Sequence, residues 1–322
     1  MKKTALFAAA AALLLFGACQ KDGKYNPKQK IAKVYEEFNY TDSYYDEYSG
    51  EWNTNSNNVP KHLSEQWTWD GKKLSKIAYI GYDYDDQGNR VPDGQDVVNF
   101  NYDGSQMTEV TTSYGERITF TYDGKKLQKA ELYDGAATPY MTYEFEHDGK
   151  KISSMTVVTM AEDYYDKKGA KVSRLEHLLL GNIIPQTKST DKFVCQLHAK
   201  AAKAGQSIRM DLTWDGDNVS KITAVTPYGN ATATFTYDDK NNPFKNFGPM
   251  FGFYGETETG VEFCNKNNIT KMVISDIDGD SDEENYTYTY DGQWPVSCTN
   301  MYSYEDEYSR VSNSRTVYYE YE

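Results

Sequence analysis

One stretch of this chain prescribes a covalent reaction by residue type and spacing. Leu15-Phe16-Gly17-Ala18-Cys19 closes a leader in which Lys2 and Lys3 precede an apolar run from Ala5 to Phe16. The run is too short to span a bilayer comfortably, and small residues just before a Cys have the pattern of a lipobox. The expected chemistry is diacylglycerol transfer to the Cys19 thiol, cleavage before it, and acylation of the new amine. Phe16 stands where Leu is commoner. Several acyl chains make a stable anchor where one does not. Residues 1–18 thus read as a removed signal peptide and 19–30 as a lipidated tether. Gln20 rather than Asp follows the Cys, which favours the outer membrane.

The other candidates for chemistry are weaker. His62, His147, His177 and His198 show no metal-ligand spacing, and His147 occupies an aromatic position of a repeat described below. No nucleophile elbow or phosphate-cradling Gly loop is present. Asp276, Asp278, Asp280 and Asp282 alternate around Gly279, as in a calcium loop. The EF-hand pattern fails, because its Gly is misplaced and Thr287 occupies the place of the closing Glu. The simpler reading is a solvated acidic hairpin tip, so calcium is the one cofactor to test. Cys264 and Cys298 fall at strand-like positions and could form a disulfide in an oxidising compartment, with Cys195 a buried thiol. Three reduced, buried Cys are the alternative. Tyr44, Tyr45, Tyr48 and Trp52 lie in a long apparent loop from Asp42 to Pro60, and Phe251, Phe253 and Tyr254 in a Gly-rich stretch. Aromatic residues outside a strand frame can stack on sugar rings; inside one they pack the sheet.

The elements that must carry these residues come from one recurring phrase. Its clearest copy is Phe120-Thr121-Tyr122-Asp123-Gly124-Lys125-Lys126-Leu127, and others start at Trp69, Tyr102, His147, Trp214 and Tyr290. Weaker copies start at Tyr25, Tyr237 and Cys264, and a longer-turn form starts at Tyr84, Tyr165 and Tyr304. Alternating aromatic and Thr residues signal a half-buried strand, and Asp-Gly supplies the turn of a hairpin. After the turn, as in Leu74-Ser75-Lys76-Ile77, aliphatics stand three apart. In a flat strand they would face opposite ways, so either a bulge shifts the register or both faces are covered. The copies are unevenly spaced, unlike a strict solenoid. The expected fold is all-β: a large antiparallel meander of hairpin repeats in one or two twisted sheets, spanning 31–322. One short helix is predicted near 190–204, capped by Ser189 or Thr190 and stopped by Gly205. Two halves divided near 181–206 are an alternative to one domain.

Tyr-Asp-x-x-Gly-x-x-aliphatic resembles the YD repeats of Rhs-type surface and toxin proteins. The leader, the repeat, Tyr237-Asp238-Asp239-Lys240-Asn241-Asn242-Pro243-Phe244-Lys245 and Asn268-Ile269-Thr270-Lys271-Met272 together look like an uncharacterised group of Bacteroides-type surface lipoproteins. Gln20-Lys21-Asp22 resembles the acidic surface-export signal of such proteins, with one acid where they carry more. The resemblance implies a sheet-rich architecture facing the cell exterior and carries over no functional residue.

The net charge of −14 repels phosphate backbones and argues against nucleic-acid binding. The function expected from sequence is a non-enzymatic, lipid-anchored surface protein that binds a glycan or an envelope or host protein. A structural or adhesive protein without a small-molecule site is the alternative. A polysaccharide hydrolase using an unlocated carboxylate pair is the third reading.

Overall fold

The computed structural model describes residues 27–46, 48–84, 90–159, 207–226, 229–245, 265–275, 279, 281–305 and 309–322. Every regular element among them is a strand. They are β1 (Ile31–Asp46), β2 (Glu51–Asp70), β3 (Lys73–Tyr84), β4 (Arg90–Asp103), β5 (Gln106–Thr112), β6 (Glu116–Asp123), β7 (Lys126–Asp134) and β8 (Met141–Asp148). They continue as β9 (Lys151–Thr159), β10 (Ile208–Asp215), β11 (Asn218–Thr226), β12 (Gly229–Tyr237), β13 (Ile269–Ser275), β14 (Ser281–Asp291), β15 (Trp294–Glu305) and β16 (Ser309–Tyr321).

Each strand pairs antiparallel with its neighbours in sequence, and β1 pairs with β16 from Ile31↔Tyr321 to Tyr44↔Ser309. The 16 strands therefore form one closed barrel. This corrects the expected open meander of one or two sheets, and with it the likeness to an Rhs-type YD-repeat sheet. The hairpins are real, but they share a single ring and leave no sheet edge exposed to another chain. The helix expected near 190–204 lies outside the described residues.

The phrase works as read, with one addition. Gly124 sits at φ +58°, a conformation costly for a residue with Cβ, and Gly71, Gly104, Gly149, Gly216 and Gly292 fall within a few degrees of it. All these turns gather at one end of the barrel. Next to each, the register shifts: Thr121 faces Lys129 while Tyr122 faces Leu127, so Gln128 is the extra residue. The same shift separates Thr68↔Lys76 from Trp69↔Leu74. A bulge thus decides the three-residue spacing, turning Leu74 and Ile77 to one side. The Ser or Thr often found at the bulge has its own use: Ser75 Oγ donates to Thr68 O (2.9 Å) and Ser220 Oγ to Thr213 O (3.2 Å).

The buried apolar side chains form one contiguous core, beside which Glu65 and Glu284 are buried and accept from Trp67 Nε1 (2.6 Å) and Tyr286 OH (2.6 Å). Trp67, Phe100, Phe120, Phe145, Leu212, Phe235 and Tyr319 contribute a row of mostly aromatic residues, and Leu74, Ile77, Ile118, Leu132 and Tyr143 are fully buried. A round barrel of 16 strands would be about 30 Å across between backbones. Facing side-chain layers fill only about 10 Å. Inward residues with no exposed surface therefore do not line an open pore of that width.

Candidate functional site

Three regions of a barrel can carry function: the lumen, its ends and its outer wall. The lumen is occupied by the core just described. At the turn end it is rimmed by a ring that the repeats themselves build. At most of the repeat's aromatic positions the side chain donates a hydrogen bond to a backbone carbonyl of the preceding hairpin, while Tyr290 donates instead to the Asp238 carboxylate. Trp69 Nε1 reaches Ile31 O (2.8 Å), Tyr102 OH Leu74 O (2.8 Å) and Tyr122 OH Met107 O (2.8 Å). His147 Nε2 reaches Leu127 O (2.7 Å), Trp214 Nε1 Ile152 O (2.8 Å) and Tyr237 OH Val219 O (2.5 Å). Tyr321 OH closes on Pro295 O (2.6 Å). Tyr, Trp and His interchange here because each has a donor at its tip; Phe does not occur at these places. Burial raises the Tyr102 and Tyr321 phenols above their ordinary range, so both remain protonated donors.

A segment between β12 and β13 lies across the same end. Asp238 accepts from the backbone of Lys240 (3.0 Å) and Asn268 (3.1 Å), from Asn268 Nδ2 (3.0 Å), and from the Tyr290 hydroxyl. Asn265 Oδ1 accepts from Val219 N (2.6 Å), and Asn242 Nδ2 donates to Asn265 O (3.1 Å). These bonds seat Phe244 in the core, with its ring 6.3 Å from Trp67 and 5.7 Å from Tyr319. The sequence clue was Asn241-Asn242 and Asn265, Asn267 and Asn268: local bonding by Asn side chains replaces the Asp-Gly turn that this pair of strands lacks.

The outer wall is polar. Lys129 pairs with Glu131 (2.8 Å), Arg209 with Glu146 (2.9 Å) and Asp211 (2.8 Å), Lys271 with Glu283 (2.7 Å) and Lys33 with Glu320 (2.7 Å). All alternate with the inward apolar residues and face outward. Large exposed apolar side chains among the described residues are scattered: Tyr44, Tyr48, Val91, Tyr114, Val225 and Met301. They make no belt around the barrel.

At the opposite end β1, β2, β15 and β16 run on beyond the core. The apparent loop from Asp42 to Pro60 is in fact the hairpin of β1 and β2. Both faces of this extension meet water, which is why no apolar period marks it. It divides the four aromatic candidates. Tyr45 faces Trp52 across the hairpin, with ring centroids 5.6 Å apart and the Arg310 guanidinium 4.2 Å from the Trp52 ring. Tyr44 points to the other face, and Tyr48 stands fully exposed in the turn. They form no common platform.

The remaining candidates are partly placed. Cys298 is inside the barrel, where burial pushes its thiol up to about 12. Its suggested partner Cys264 lies outside the described residues, as do Cys19, Cys195, His177, His198, Phe251, Phe253, Tyr254, Asp276, Asp278 and Asp280. Asp282 lies on β14, and the described residues hold no metal-binding cluster. His147 belongs to the ring of donors, as its repeat position suggested.

The barrel is similar in fold to a porin-like protein. The crystal structure of a porin-like protein from Bacteroides uniformis matches with a TM-score of 0.53 at 11% identity, covering 94% of this chain and all of the other. A porin-like protein from Bacteroides vulgatus matches with a TM-score of 0.41 at 10% identity, covering 92% of this chain and 99% of that one. No protein-family model matches the chain. No curated protein matches it. At this identity the first match speaks to fold. With the closed barrel, it overturns the expected function of a sheet-built surface module for glycans or protein partners, and the adhesive and hydrolase alternatives with it.

Proposed function

We propose that this chain is a non-enzymatic, non-conducting barrel that works in water, held at the outer membrane by lipid on Cys19 rather than by its strands. The observation that carries this reading is the orientation of the wall. A membrane-spanning barrel turns an apolar band of about 25 Å to lipid and polar residues to its lumen. Here the outward face bears ion pairs such as Arg209–Glu146, and the inward face bears Ile118, Leu132 and Tyr143. Burying those pairs in hydrocarbon would cost several kcal/mol for each charge.

A channel is the function that the likeness to a porin-like protein brings forward. Three features support the non-conducting reading over it: the filled lumen, the donor ring at one end, and the Asn-bonded segment that drives Phe244 into the core. Facing outward on the cell surface follows from Gln20-Lys21-Asp22 and belongs to the same proposal.

Cell fractionation tests it. With its own leader the protein is expected in the outer-membrane fraction. With residues 1–19 replaced by an ordinary cleavable secretory leader, it is expected in the soluble fraction, monodisperse without detergent. A barrel held by its strands would stay in the membrane in both forms, and that result would overturn the proposal.

A further inference from the structure

We propose that the long-stranded end of the barrel holds a binding site for a small oxyanion, a carboxylate or a phosphate group, between Arg90 and His62. Nothing in the fold comparison assigns such a site, and it stands apart from the question of conduction.

The site is assembled from β2, β3 and β4. Tyr82 is its wall, and its hydroxyl donates to Leu63 O (2.8 Å), which fixes the ring. The Arg90 guanidinium lies on that ring, with its carbon 4.3 Å from the centroid. The His62 ring meets it edge-on, with centroids 5.1 Å apart and planes at 85°. The Nδ1–H of His62 points to Pro60 O (3.0 Å), which leaves Nε2 for another partner.

Among the described residues Arg90 makes no ion pair. Its Nη1 is sealed from water and has no hydrogen-bond partner. A buried guanidinium nitrogen left unsatisfied is costly, so a protein gains nothing in stability by placing one there. Among the described residues the acid opposite His62 is already engaged: Glu36 pairs with Arg315 (2.7 Å). The groups facing His62 are therefore the cations Arg90 and Arg315 and the paired Glu36, and burial together with the cations lowers its proton affinity. In a chain of net charge −14, an uncompensated cation beside an imidazole is a local exception. The chemistry it suits is an anion that accepts from Arg90 Nη1 and from His62 once protonated. Charge-assisted bonds of this kind are about twice as strong as neutral ones.

The test uses the four His of the full-length protein as reporters, followed by imidazole NMR. His62 is assigned with the His62→Gln variant, and His147, at the other end of the barrel, serves as the internal control. Inorganic phosphate and acetate are titrated separately. Movement of the His62 signal, with a rise in its protonation midpoint and no change at His147, is expected with at least one anion. A response to phosphate alone or acetate alone identifies which group the site takes. Arg90→Gln should weaken the response at least about tenfold while leaving thermal unfolding unchanged or raised. Arg90→Lys, which keeps the charge but not the fork, should retain part of it. No His62 response to either anion, equal responses at His62 and His147, or an undiminished response in Arg90→Gln would each overturn the proposal.

Discussion

Ile118→Lys should abolish folding, while its neighbour Thr119→Lys should be tolerated or slightly favourable. Ile118 has no exposed surface and lies on β6 facing the core. A Lys there would bury an ammonium among apolar groups, a cost of several kcal/mol that rivals the 5–15 kcal/mol, roughly, of a whole domain's stability. Thr119 faces outward between Glu109 on β5 and Glu131 on β7. A Lys between two carboxylates on a wet sheet should change stability by no more than about 0.5–1 kcal/mol, in the favourable direction. Urea denaturation measures both. In a membrane-spanning barrel the signs reverse: an outward Lys at mid-height costs about 2–4 kcal/mol, and a lumenal one is accommodated.

Trp214→Phe should destabilise the barrel by about 2–4 kcal/mol, although it keeps an aromatic ring. The loss combines a carbonyl, Ile152 O, deprived of its donor with the space left by the indole. Tyr122→Phe removes only a hydroxyl and should cost about 1–2 kcal/mol through Met107 O. Tyr122→Trp and Tyr122→His restore a donor at the tip, and at least one should outperform Phe. If Phe equalled Tyr, ring size alone would explain the repeat and the donor ring would be incidental.

That comparison shows how the sequence was legible. The repeat's tolerance of Tyr, Trp and His was visible, and it marked the phrase as scaffold rather than ligand site. The reason, a tip donor reaching the preceding hairpin, needed the neighbouring carbonyl to be in view. The aliphatic spacing of Leu74 and Ile77 left two readings, a bulge or a sheet covered on both faces, and the register shift beside the turn decides for the bulge. Closure was illegible. Nothing local in Lys33 or Glu320 announces that they sit opposite one another across the whole chain. Asp42 to Pro60 looked like a loop for a physical reason: a strand wet on both faces has no apolar alternation to show. The Arg90 site was equally hidden, since His62, Tyr82 and Arg90 belong to three strands and share no motif.

A barrel filled inside and polar outside should neither insert into a bilayer nor conduct. Planar-bilayer conductance tests it most directly, using the purified full-length protein under conditions in which a porin control inserts. The expected result is a flat baseline across the voltage range, with no unitary steps. Reproducible single-channel steps from this protein would contradict the account, because they require both a water-filled lumen and a lipid-compatible wall.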